Sequence, residues 1–354
     1  MRRRSWLLGS AAFLFAPHSE GRAAGGPTIT TASELAIAYR TRIEPFWDTG
    51  RPIEFLSTRG ANIHIRGRYF PRDGATTAIV IASGRTECML KYKELIYDLH
   101  RNGYAVFIHD LRGQGFSSRM LADPMIGHVD VFDDYVADLK TLFDNHVKPT
   151  GHNNHVLLSH STGGCISSLY LARYKRDFAC AVMASPMHAP VLPAHPFLAV
   201  PLLRLAIGTG FGAHYIPFGT PYRHQRAFSN DAGIFTHSPE RWTIIYDTYA
   251  EHPTESRLGS PSNRWVLNAY LAGQKAQAQA GVIEAPILLL QAGDDTIVDN
   301  DAQNEFAKRL NAVRPNGCIV RRIEGARHEM FIESDEYRSA ALGHMFAYLT
   351  ERLP

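Results

Sequence analysis

Two rhythms of apolar spacing follow one another along the chain. From Ile53 to Phe70 apolar and polar residues alternate through Ile63, Ile65 and Tyr69, the period-two pattern of antiparallel strands with one buried face. After that come short unbroken apolar runs: Ala78-Ile79-Val80-Ile81-Ala82, Ala105-Val106-Phe107-Ile108, Val156-Leu157-Leu158, Ala181-Val182-Met183 and Ile287-Leu288-Leu289-Leu290. Runs of this kind suit strands covered on both faces, as in a parallel sheet. Helical periods lie between several of them, from Leu90 to His100, from Val131 to Phe143 and from Cys165 to Tyr174, with a shorter helix-like stretch from Ala32 to Arg42. Strand, helix and strand repeated in this order predict an α/β class fold: a mostly parallel, doubly wound sheet with right-handed crossovers.

One segment breaks the rhythm. The chain between Met183 and Ile287 is far longer than a crossover requires, and it carries the apolar stretch Phe197 to Leu203, glycines at 208, 210 and 212, and the aromatics Phe211, Tyr215, Phe218, Tyr222, Trp242, Tyr246 and Tyr249. We expect a core in two parts, residues 31–187 and 284–354. A mostly helical cap at 188–283 would cover the carboxyl edge of the sheet, where ligands bind in open α/β sheets.

Residues 1–30 have another character. Arg2, Arg3 and Arg4 precede an apolar run from Trp6 to Ala16, followed by small residues at Gly21, Ala23 and Ala24. That order is the charged, apolar and small-residue layout of an export signal, and Arg3-Arg4-Ser5-Trp6-Leu7 resembles a twin-arginine signal. The run is too short for a spanning helix, which needs about 20 apolar residues. The expected location is therefore outside the cytoplasm, in the periplasm; a tail lying on the inner membrane is the alternative.

Composition adds mainly exclusions. A formal charge of +3 with Lys+Arg 37 against Asp+Glu 34 is too balanced for a nucleic-acid binder. Four cysteines, Cys88, Cys165, Cys180 and Cys318, lack paired spacing, so neither a disulfide framework nor a metal site is expected. His152 and His155 stand in a polar turn without a carboxylate or cysteine at ligand spacing, which argues against a metal there. No cofactor is expected. Asp110-Leu111-Arg112-Gly113-Gln114-Gly115-Phe116-Ser117 lacks both the third glycine of a dinucleotide loop and a P-loop lysine, and reads as a structural turn.

The sharpest chemical signal is Val156-Leu157-Leu158-Ser159-His160-Ser161-Thr162-Gly163-Gly164, a strand, a tight turn of small residues around a serine, and a helix. This is a nucleophile elbow with Ser159 in place of the usual first glycine. A serine hydroxyl needs a base, and the base needs a group that fixes its tautomer. Asp294 and Asp295 follow the strand ending at Gln291, and beyond them only His328 and His344 remain. His328 lies in a loop after the strand-like run from Cys318 to Ile323, whereas His344 falls in a helical period with Ala341, Met345 and Leu349. His328 is the expected base. Spacing leaves Asp294 and Asp295 both open as its partner, while Asp299 is better placed to cap the next helix. Oxyanion donors are expected at the backbone N–H groups of Thr162, after the serine, and of Arg85, in the loop Ser83-Gly84-Arg85-Thr86-Glu87.

Taken together these segments resemble the monoacylglycerol-lipase-like branch of the α/β-hydrolases, and most closely bacterial lysophospholipases. The likeness runs from about Ile43 onward. It is carried by Gly84-Arg85-Thr86-Glu87 with Lys91-Tyr92, by Asp110 to Ser117, by Ser159 to Gly164, by Thr236-His237-Ser238-Pro239-Glu240-Arg241-Trp242, by Gly259-Ser260-Pro261-Ser262 with Trp265, and by Gly325-Ala326-Arg327-His328-Glu329. Gln291 to Asp299 resembles the family's acid loop, which implies Asp295 as the orienting carboxylate. Ser83 and Ser159 depart from the family's usual residues. The resemblance implies an α/β-hydrolase fold and hydrolysis of a single-chain lipid ester, a lysophospholipid or monoacylglycerol, through an acyl-enzyme on Ser161, His328 and Asp295. Peripheral membrane contact would come through the cap, and no protein partner is implied. A short-chain carboxylesterase or acyltransferase on the same residues, and a silent lipid-binding protein that keeps the fold, are the alternatives.

Overall fold

A computed structural model describes residues 26–192, 194–224, 227–229 and 232–353. Most of the expected export signal therefore lies outside the described residues. Two short helices, α1 (Ala32–Ala38) and α2 (Glu44–Asp48), lead into the antiparallel strands β1 (Arg51–Leu56) and β2 (His64–Phe70). The wound part follows as β3 (Thr77–Ala82), α3 (Lys93–Arg101), β4 (Ala105–His109), α4 (Asp133–Leu142), β5 (Asn154–His160), α5 (Thr162–Arg173) and β6 (Cys180–Ala184). Three helices come next, α6 (Pro196–Gly208), α7 (Pro239–Glu251) and α8 (Asn263–Ala278). The chain closes with β7 (Ile287–Ala292), α9 (Asn300–Val313), β8 (Cys318–Ile323) and α10 (Asp335–Arg352).

The strands form one sheet in the order β1-β2-β4-β3-β5-β6-β7-β8. β1 with β2 and β2 with β4 pair antiparallel, and the pairings from β4 through β3 to β8 are parallel. The apolar runs are continuous because both faces of the central strands are covered. Ala78, Val80, Phe107, Leu157, Met183 and Leu289 join one core with residues of α4, α5, α8 and α9, while Ile79, Ile81, Val106, Leu158, Val182 and Leu288 join another with residues of α3 and α10. Each strand thus divides its alternate side chains between two cores, as the pleat requires. Asp299 caps α9, its carboxylate accepting from the N–H groups of Asp301 and Ala302.

The long insertion is not all cap. α8 packs against α5 and α9, and its Trp265, Ala269, Ala272 and Ala276 belong to the first core. α7 is tied to the body by buried Arg241, which donates to Glu94 of α3, to Asp335 and to the Thr30 carbonyl. Of the three helices it is α6 that overhangs, with Leu203 its one buried residue. α6 rests on α8 and turns the rest of its surface outward: Phe197 is 79% exposed, Leu202 64% and Leu205 63%. No described helix is long and apolar enough to cross a membrane.

Candidate active site

Parallel strands bring distant residues to one edge. β3 and β5 run side by side with Ala82 opposite Ser159, so the loop after β3 lies beside the turn after β5. β7 and β8 end on the same edge and deliver the loops that carry Asp295 and His328.

Ser161 sits between β5 and α5 with φ +51° and ψ −118°, outside the comfortable regions for a side-chain-bearing residue. The strain is held by close packing. A Cβ at Gly163 would stand 2.0 Å from the Ala82 carbonyl oxygen and 2.7 Å from that of Ser83, and one at Gly164 would stand 2.4 Å from Pro186 Cβ, so neither position admits a side chain. Ser159 fills its place in the turn without a glycine and is fully buried. Thr86 and Ser185, at the ends of neighbouring strands, also have positive φ, +63° and +43°. Strained residues therefore cluster at this edge, as they do at functional sites.

Ser161 Oγ lies 3.0 Å from His328 Nε2, and His328 Nδ1 lies 2.8 Å from Asp295 Oδ2. An ionised carboxylate only accepts hydrogen bonds, so Nδ1 carries the imidazole proton and the Nε2 lone pair faces the hydroxyl. Asp295 also accepts from the backbone N–H groups of Ile297 and Val298 at 2.8 and 3.1 Å. Burial works to raise its pKa, but the bond and charge of His328 together with those two N–H groups prevail and hold it below the ordinary aspartate value. Of the two aspartates that spacing left open, Asp295 reaches the imidazole. Asp294 is exposed and lines a cavity of about 650 Å³ with Phe228, Ile234, His237, Thr296 and Arg327. His344, on α10, is exposed and outside this arrangement.

Thr162 is the first residue of α5, where a backbone N–H has no acceptor within the helix. The Gly84 N–H is taken by Glu87 Oε2 at 2.5 Å, and Arg85 follows at once. The Arg85 side chain leaves the site: it donates to the Gly259 carbonyl at 2.5 Å and lies over the Trp265 ring, 5.1 Å from its centroid. Burial lowers its pKa to about 10.

Sequence reasoning missed the polar cluster beneath these loops. Glu87, Lys91, His160 and Glu329 are joined by contacts of 2.5 to 2.9 Å, and the Lys91 ammonium lies between the two carboxylates. The spacing of Glu87 and Lys91, one helical turn apart, was the available signal. His160 stands within the elbow, where the spacing of the chain assigns it no role. Glu87, His160 and Glu329 could in principle hold a metal ion, but the ammonium already supplies the cation. All four cysteines are buried and unpaired. Asp110 organises its glycine-rich turn by accepting from the N–H groups of Met89 and Phe116.

Comparison with known proteins places the chain among serine hydrolases. The model of the family described as serine aminopeptidase, S33 matches residues 74–335. Lysophospholipase L2 of Escherichia coli is 37% identical over 299 residues, 84% of this chain and 86% of the relative. Monoglyceride lipase of Mus musculus is 26% identical, covering 81% of this chain and 86% of the relative. Among solved structures, a thermostable carboxyl esterase from Bacillus coagulans superimposes with a TM-score of 0.68 at 14% identity, covering 86% of this chain and 99% of that one.

Proposed function

The chain belongs to the serine aminopeptidase S33 family of α/β-hydrolases, and on that premise we propose that it is a serine hydrolase cleaving the carboxylic ester of a single-chain lipid, a lysophospholipid or monoacylglycerol. The observation that carries the reading is the unbroken chain of hydrogen bonds from Ser161 through His328 to Asp295. The lysophospholipase and monoglyceride lipase relatives supply the substrate class.

Ser161 Oγ attacks the ester carbonyl as His328 Nε2 takes its proton. Asp295 holds the imidazole and stabilises the imidazolium that forms. The carbonyl oxygen becomes an oxyanion received by the N–H groups of Thr162 and Arg85. Collapse expels the alcohol, which takes the proton from His328 and leaves the acyl group on Ser161. Water then attacks with His328 again as base, releases the fatty acid and restores the serine.

The exposed apolar surface of α6 gives this reading a place for the lipid phase. Phe197, Leu202 and Leu205 would enter the outer part of a bilayer and bring the mouth of the site to its substrate, each gaining roughly 1.5–3 kcal/mol if fully buried there. Residues 1–30 send the protein out of the cytoplasm, to the periplasm. N-terminal sequencing of the periplasmic product tests that step, and an intact Met1 on cytosolic protein would rule it out.

Fatty-acid release from lysophospholipids, monoacylglycerols and short esters, with Ser161→Ala as control, tests the whole. Preference for long single-chain lipids is expected. Faster turnover of short soluble esters than of any long-chain lipid would favour the short-chain carboxylesterase reading instead.

A further inference from the structure

We propose that His160, the residue just before the nucleophile, is a doubly protonated positioning residue that locks the loop bearing the base to the loop bearing an oxyanion donor. The inference rests on the roles given to Ser161, His328 and Arg85 above, but its evidence is separate.

The first observation concerns donors and acceptors. His160 is buried, with Nδ1 2.9 Å from Glu87 Oε1 and Nε2 3.1 Å from the backbone carbonyl oxygen of His328. A carbonyl oxygen only accepts. Glu87 accepts as well, since its oxygens also receive the Gly84 N–H at 2.5 Å, the Lys91 ammonium at 2.6 Å and the Tyr92 hydroxyl at 2.5 Å. Four donors converge on one carboxyl group, which keeps it ionised. Both ring nitrogens of His160 must therefore carry hydrogen, because a neutral imidazole has only one N–H.

The second observation is charge balance. Glu87 and Glu329 bring two negative charges and Lys91 one positive charge, and Glu329 Oε2 lies 2.5 Å from Lys91 Nζ and 3.6 Å from His160 Nε2. With His160 as imidazolium the set is neutral. With a neutral His160 an uncompensated negative charge would remain in the interior, where little solvent reaches to stabilise it. Burial alone would lower the pKa of His160, but Glu329 and Glu87 outweigh it and raise the value above that of an ordinary histidine, against a smaller opposing push from Lys91.

The consequence for the site is mechanical. The His328 carbonyl accepts from His160 Nε2 and from Ser185 Oγ at 2.9 Å, which fixes the backbone of the base. Through Glu87 the same histidine reaches Gly84, next to Arg85. Gln114 completes the hold by donating to the carbonyls of Gly84 and Glu87, both at 2.8 Å. His160 is therefore the side chain that links the loop of the base to the loop of the oxyanion donor. Neutrality matters too, because the ring centroids of His160 and His328 are 4.9 Å apart, and an uncompensated imidazolium there would oppose the charge His328 acquires.

The groups facing His160 are Glu87, Lys91 and Glu329, with Tyr92 behind Glu87, the His328 ring alongside and Phe331 at its edge. The test is nitrogen NMR of the full chain labelled at its 17 histidines, followed from pH 6 to 9. One histidine should show both ring nitrogens protonated at pH 8.5, and that signal should vanish in His160→Gln. Absence of any such histidine in the wild-type spectrum overturns the proposal without recourse to a variant. On a soluble short-chain ester, His160→Gln should lower kcat by about 10- to 100-fold per fluorophosphonate-labelled site, since small misplacements cost rates of this order, with KM within about twofold. Wild-type kcat per labelled site would also overturn it, whereas a merely structural role would reduce only the labelled fraction. Lys91→Arg, which keeps the charge, should retain most of the rate. If Ser161 fails to label in the wild type, the hydrolase reading falls while the protonation result stands.

Discussion

The carboxyl edge of the sheet and helix α6 are neighbours built on opposite principles. At the edge, the polar groups that tie the loops together are buried and paired: Asp295 has three hydrogen-bond donors, Glu87 has four, and the His328 carbonyl has three, although Ser83 Oγ and Ser159 Oγ beside them have no partner. On α6, apolar groups are exposed and unpartnered. Chemistry on a water-insoluble ester uses both. A site that stabilises developing charge needs dipoles fixed in advance, and a surface that meets a lipid phase needs apolar side chains not yet buried. The edge can be broken by removing one atom, while α6 changes by degrees.

The largest effect is expected at the edge. Ser161→Ala should reduce ester hydrolysis by about 10⁴-fold or more while the circular dichroism spectrum is kept. Full activity would remove the nucleophile from the comparison altogether. Asp295→Asn should follow, at about 10²- to 10⁴-fold in kcat, because the amide no longer selects the tautomer with hydrogen on Nδ1. This variant should also change acid sensitivity. Asp295 has a depressed pKa when folded, so its stabilising share is present above the unfolded value near 3.9 and is lost as pH falls through the folded one. Thermal melts below pH 5 should be flatter in Asp295→Asn than in wild type, and parallel curves would separate the carboxylate from stability.

Effects of intermediate size should separate the two regions. Phe197→Asp combined with Leu202→Asp should weaken hydrolysis of vesicle-borne lysophospholipid by roughly tenfold or more, since each apolar side chain is worth roughly 1.5–3 kcal/mol when buried. Hydrolysis of a soluble short ester should stay unchanged. Equal losses on both substrates would place α6 within the acyl site instead of on the membrane. Gly163→Ala should destabilise by about 2–3 kcal/mol in urea melts, through forced contact with the Ala82 carbonyl. The smallest effect is expected far from both regions, at the cap of α9, where Asp299→Ala should cost about 1 kcal/mol without altering kcat.

How much was legible in the chain varies with the range of the interactions. The doubly wound sheet could be read because burial on both faces leaves continuous apolar runs, and β3, β4, β5, β6 and β7 fall on them. Ser161 could be read because an elbow is local: a strand, small residues and a helix within nine positions. His328 could be found by order and elimination, since chain order survives folding. The division of the insertion could not. α7 and α8 belong with the core because Arg241 meets Glu94, and Trp265 meets Tyr135, pairings between segments far apart in the chain. Local periodicity records which face of a helix is apolar, but not which surface covers it.

The sequence by itself therefore determined the sheet, the positions of the proposed nucleophile and base, and the presence of a long insertion, since each is written in spacing or order. Spacing left Asp294 and Asp295 both open and the family resemblance implied Asp295; the tertiary structure shows that Asp295 and not Asp294 faces the imidazole, because adjacent residues leave a loop in different directions. It also decided what His160 touches. Its meaning lies in Glu87 and in the His328 carbonyl, 73 and 168 residues away along the chain, and contacts at such range exist only once the parallel strands have carried their loops to one edge.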